Sequence, residues 1–119
     1  MTVTLDIGKL RQVVTLANPR DVTVDGDTTQ VYDVALDPPT WRAAIEKASV
    51  RAAERAFGAT VIAQATNILT GRFHPGITTE TRLTWVDRAN VTHTANVLDV
   101  ADPEGAGVAT VVLVVEVVP

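Results

Sequence analysis

The run "VATVVLVVEVV", Val108 to Val118, constrains this chain more than any other stretch. It is about half the ~20 residues a membrane helix needs and it contains Glu116, so it reads as a strand. Side chains alternate across a strand. Ala109, Val111, Leu113, Val115 and Val117 therefore share one face, and Val108, Thr110, Val112, Val114, Glu116 and Val118 share the other. If the first face is core, the second still leaves Val112 and Val114 outside. An antiparallel strand with one wet face is expected to be polar there, so another surface should cover them, either a helix or a neighbouring subunit. A long apolar edge left open invites aggregation.

The other strands come from alternation and turn chemistry. "LRQVVTLANP" is a β-branched segment that Asn18-Pro19 is expected to end, and "DVTVDGDTTQVYDVAL" turns at Asp25-Gly26 between two alternating pieces, a hairpin signal. Beyond Pro38-Pro39, "TWRAAIEKASVRAAERAFG" is rich in Ala, Glu, Lys and Arg, with Thr40 or Ser49 as N-cap and Gly58 past the end. Its apolar stripe, Ile45, Ala48, Ala52 and Ala56, is mostly alanine and buries little area. Strands resume after Gly58, with breaks at His74-Pro75-Gly76, Asp87-Arg88 and Asp102-Pro103-Glu104-Gly105. Five to seven strands and one helix predict a mainly β fold: a small antiparallel β-barrel or sandwich with one flanking α-helix and mobile loops. A length of 119 residues suits a single domain. Two Trp, two Phe and one Tyr leave aliphatic side chains to fill a thin core.

Chemistry is sparse. The chain has no cysteine, which removes disulfides and thiolate metal sites. Asp21, Asp25, Asp27, Asp33 and Asp37 lack the closing Glu of a calcium loop, so they read as solvated surface charge. His74 and His93 have no nucleophile or metal-ligand partner at local spacing, and alternation puts His93 on one face with Val91, Ala95 and Val97 as a half-buried strand residue. No glycine loop for phosphates and no interleaving of aromatic with basic residues is present. The net charge of −4 argues against a basic nucleic-acid face. No catalytic residue, metal or cofactor is expected, nor any membrane association, and "MTVTLDIGKLRQ" lacks the pattern of an export signal.

Several short motifs then act together. "IGKLRQVVTLANP" opens with Ile7, Gly8, Leu10 and Arg11. "WRAAI" spans Trp41 to Ile45. Thr66, Arg72, Phe73, Pro75, Gly76 and Ile77 follow in "TNILTGRFHPGI", and Val100, Asp102, Pro103, Glu104 and Glu116 close the series. In this order they resemble the phage head-tail joining family, the stopper or head-completion proteins at the neck of long-tailed phages. "VDRANV" departs from the family, which commonly carries a Gly between those strands.

The resemblance implies a structural protein of the virion, made in the bacterial cytoplasm, that forms a homo-oligomeric ring of six or twelve copies. The ring joins the portal and adaptor of a DNA-filled head to tail terminator or tail tube proteins. It implies a mobile insertion over residues 46–62 that narrows or closes the DNA channel, with Glu46, Arg51, Glu54 and Arg55 as gating or interface candidates. The family pattern makes Trp41 to Ile45 a strand where propensity starts a helix, and the strand is the expectation adopted, since it keeps two large residues in the core. Val112 and Val114 are interface candidates through the surplus apolar face. Arg72 and Arg82 flank the corner at Pro75 and Gly76, where Pro fixes φ and Gly supplies the turn, and are candidates for intersubunit or intrabarrel ion pairs with Glu54, Glu80 or Glu116. The other readings are a tail terminator or adaptor in the same neck and, from another class, a monomeric barrel binding a small ligand, which five aromatic residues equip poorly.

Overall fold

Period-2 alternation sets the architecture. A computed structural model of the chain describes residues 11–48, 65–102, 105 and 107–117. Its strands are β1 (Gln12–Val24), β2 (Asp27–Lys47), β3 (Asn67–Arg72), β4 (Arg82–Val86), β5 (Thr92–Ala101) and β6 (Ala109–Glu116). They close into an antiparallel barrel in the order β1-β2-β3-β6-β5-β4. Alternate residues point inward: Val14 and Leu16, Trp41 and Ala43, Leu69, Leu83 and Trp85, Ala95 and Val97, Val112 and Val114. Leu36 and Ile77 join the same core from outside the regular ladders.

β6 corrects the expected facing. Val112 and Val114 are fully buried in the barrel interior and do not form an outer surface. The opposite face is buried as well, with Val111 and Leu113 packed with Ile68 against Ala48, Ala65, Leu98 and Ala101. β6 lies between β3 and β5 with no open edge, so closure of the barrel, rather than a neighbouring subunit, covers its interior face.

Two further expectations change. β1 does not stop at Asn18-Pro19; it runs on to Val24, with register shifts between Thr15 and Ala17 and between Asn18 and Pro19. A proline has no N–H to give to a ladder, and such a bulge position asks for none. β2 likewise passes Pro38-Pro39, although the Asp37-Pro38 peptide is cis. Thr40 pairs Thr15 and Ala35 pairs Ala17, so residues 36–39 bulge opposite Leu16. Trp41 to Ile45 are strand, paired with β3 from Ala43 onward. Glu46 and Lys47 are also laddered, to Ile68 and Asn67, and the Ala48 amide donates to the Thr66 carbonyl at 3.0 Å. The end of β2 and the start of β3 thus lie side by side. The expected helix and the rest of the expected insertion, with Arg51, Glu54 and Arg55, lie outside the described residues.

Above the bulges the two long strands pair, among the described residues, with each other alone. β1 meets β4 over Thr15 to Ala17 and β2 meets β3 over Ala43 to Lys47, so residues 18–35 form a two-stranded arm whose outer edges have no strand partner among the described residues. Its turn is Asp25-Gly26, with φ of 54° and 83°, the left-handed pair of a type I′ hairpin. The molecule measures 53 × 30 × 27 Å. Among the described residues no helix is long and apolar enough to cross a membrane.

Candidate functional site

The corner after β3 is built around His74, which is 4% exposed. The Gly76 amide donates to its Nδ1 at 3.1 Å, which assigns the ring proton to Nε2, and Nε2–H donates to the Pro38 carbonyl at 2.9 Å. The His74 amide donates to Thr110 Oγ1 at 2.8 Å. Both ring nitrogens are thus spent on backbone, and they tie the Pro75-Gly76 turn to the β2 bulge.

Beside this corner opens a cleft of about 490 Å³ lined by Pro38, Trp41, Arg42, Arg72, Phe73 and His74. Trp41 forms its floor. The indole Nε1–H donates to the Arg72 carbonyl at 2.8 Å, and Gly71 lies so close that a Cβ there would sit 2.4 Å from the ring. Since Ala43 pairs Gly71, Arg42 and Arg72 occupy the next register position and stand side by side on the outer face, both exposed. Like charges opposite one another on a sheet repel. Among the described residues no carboxylate pairs with either arginine. Phe73 adds an apolar wall that is 43% exposed.

The arm presents a second surface. Cross-strand partners share a face, so Arg20, Val22, Val24, Asp27, Thr29, Val31 and Asp33 lie on one side and Asp21, Thr23, Thr28, Gln30 and Tyr32 on the other. The first side carries exposed Val24 and Val31. Arg20 grips Asp33 through Nε at 2.6 Å and a terminal nitrogen at 2.7 Å, which raises the arginine pKa and lowers that of the carboxyl. At the base Arg82 donates to Asn96 Oδ1 at 3.1 Å, and its guanidinium lies 3.8 Å from the centre of the Tyr32 ring, a cation–π contact. Thr81 Oγ1 donates to Asn18 Oδ1 at 2.7 Å. These contacts pin the root of the arm, and among the described residues the tip bonds only within the arm.

His93 holds a third cluster. Its Nε2 meets Asp87 Oδ2 at 2.7 Å and its Nδ1 meets Glu116 Oε1, while the ring stacks on Trp85 with centroids 5.3 Å apart. The bond to Asp87, then that to Glu116, pushes the His93 pKa above its ordinary value. Asp87 is pulled down chiefly by His93, and its other oxygen accepts the Ala89 and Val91 amides. The "VDRANV" hairpin is thus organised by an aspartate, with Asn90 in the left-handed region at φ 62°. With each nitrogen facing a carboxylate, His93 fastens β4, β5 and β6 together.

Of the residues singled out from sequence, Arg72 reaches the cleft, Arg82 is committed to Asn96 and Tyr32, Glu116 to His93, and Glu46 is exposed at the end of β2. Val112 and Val114 are interior. Sequence reading missed Arg42 as the neighbour of Arg72, and the local signal is slight: Arg42 precedes Ala43 and Arg72 follows Gly71, and only the pairing of those two small buried residues brings the arginines together. Among the described residues no group of histidines and carboxylates is arranged to hold a metal ion.

No family model matches the chain, and no curated protein matches its sequence. The fold is similar to the solution structure of protein SF1141 from Shigella flexneri 2a, with a TM-score of 0.68 and 17% identity, covering 94% of this chain and 96% of that one. At that identity the likeness is one of fold.

Proposed function

We propose that this chain is a structural subunit of a phage neck, a ring that joins the DNA-filled head to the tail. The observation that carries the reading is the ordered series of motifs from Ile7 to Glu116, resembling the head-tail joining family. A closed barrel with its interior filled by side chains suits a mechanical part better than a small-ligand carrier, whose lumen must stay open. A free arm and an unneutralised arginine pair give one subunit two different outer surfaces, which is what a heterologous ring contact requires. In this reading six or twelve copies meet portal or adaptor proteins on one side and tail terminator or tail tube proteins on the other. In the same reading the expected insertion over residues 46–62 narrows or closes the channel through which DNA passes. The tail-terminator or adaptor position in the same neck is the neighbouring alternative.

Deletion of the gene from the phage tests this directly by electron microscopy of lysates. Filled heads separated from finished tails are expected, with fusion restored by the gene in trans. Filled heads that still carry tails would overturn it.

A further inference from the structure

The arginine cleft and the arm are complementary in a way that one molecule cannot satisfy alone. Arg42 and Arg72 stand adjacent with no carboxylate partner among the described residues. The arm ends in Asp25 and Asp27, both exposed, beside the exposed Val24. Within one chain they cannot meet, because Asp27 and Pro38 are separated by about 35 Å of extended strand. The arm leads away from the cleft, held by the ladder that pairs Val24 with Asp27 and Arg20 with Val31.

We infer that the cleft at Arg42, Arg72 and Phe73 receives the arm tip of a second copy of this chain, with Asp25 and Asp27 against the two arginines and Val24 against Phe73. The contact is head to tail: each copy gives its arm to one neighbour and takes the arm of another, so repetition closes a ring or extends a filament. It removes a like-charge repulsion and covers apolar surface on both sides. The inference rests on the reading of this chain as a self-assembling ring subunit, and it names the contact that builds the ring.

The test uses the full chain, with mass measured by light scattering and sedimentation over a range of concentration at about 0.1 M salt, where exposed charges still interact. Asp25→Asn with Asp27→Lys reverses the tip while keeping a residue that tolerates the left-handed turn. Arg42→Glu with Arg72→Glu reverses the cleft. Each pair alone is expected to weaken association about tenfold or more, and the two pairs combined in one chain are expected to recover most of it. Circular dichroism of each variant should match the parent. If the parent assembles and both reversed variants assemble equally well, the arm contact is wrong while the ring reading stands. A parent that stays monomeric at every concentration overturns both. Unchanged assembly together with arginine-dependent binding of duplex DNA would assign the cleft to phosphate and overturn the inference.

Discussion

The lower and upper halves of the β1–β2 ribbon are one continuous pair of strands with opposite fates. Below the bulges, Val14, Leu16, Trp41 and Ala43 are buried in the barrel; above them, Val24, Val31 and Val34 are 62%, 37% and 43% exposed. Composition does not separate the halves, since both are rich in β-branched residues. What separates them is neighbours: the lower half has β4 and β3 at its edges, whereas the upper half has none among the described residues. A two-stranded ribbon alone is marginal in water. The arm is therefore expected to add little to the stability of the barrel and to be available for a partner.

The largest break in this contrast should come from the floor of the cleft. Trp41 is 5% exposed and joins the core to the β3 backbone through its indole N–H. Trp41→Ala should cost about 3–5 kcal/mol, as large-to-small changes in a core do, read as a lower urea midpoint at unchanged slope. A loss below about 1 kcal/mol would mean the barrel does not depend on it. Gly71→Ala comes next. The added methyl would meet the Trp41 ring at 2.4 Å and the Arg42 carbonyl oxygen at 2.6 Å, and overpacking of this kind costs about 1–3 kcal/mol. Gly71→Ala unfolding at the parent's midpoint would show that Trp41 moves aside freely.

The His93 clamp sharpens the contrast through pH, because it belongs to the barrel alone. Its raised pKa means that its contribution is fully present below the unfolded-state value, about 6.5, and is lost as pH rises through the higher folded-state value. The lowered pKa of Asp87 acts at the other end: its contribution is present above about 3.9 and is lost as pH falls through the lower folded-state value. The clamp is thus worth most between about pH 4 and 6.5. His93→Gln should flatten the fall in stability from pH 6 to 9, followed by denaturation at each pH. A variant with the parent's slope would place the titrating group elsewhere.

Local chemistry was legible in the sequence and closure was not. Asp25-Gly26 and Pro75-Gly76 announce their turns because the cause lies within two residues. Trp41 to Ile45 could be placed on a strand only by setting aside helix propensity, since Ala and Glu tell nothing of the β3 partner. Val112 and Val114 were misplaced because both faces of β6 are apolar and only barrel closure decides which is interior. Asp87, His93 and Glu116 carry no shared signal: they lie on three segments that meet only when β4, β5 and β6 pair. Pro19 looked like a terminator because its bulge depends on the register of the opposite strand.

The smallest expected effect is the most informative about the arm. Replacing residues 23–28 by Asp-Gly keeps the Val22 to Thr29 pair as the closing pair, two steps down the ladder and so of the same hydrogen-bond type as the Val24 to Asp27 pair it replaces. The Arg20–Asp33 grip and the Tyr32 contact with Arg82 stay in place. Barrel unfolding should then keep its midpoint within the scatter of surface substitutions, about 0.5 kcal/mol, because no residue of either buried cluster is removed. Self-association, in contrast, should be lost with the tip. A shortened arm that lowers the midpoint as far as Gly71→Ala would show that the ribbon is one cooperative unit from end to end, and that the boundary at the bulges marks exposure without marking function.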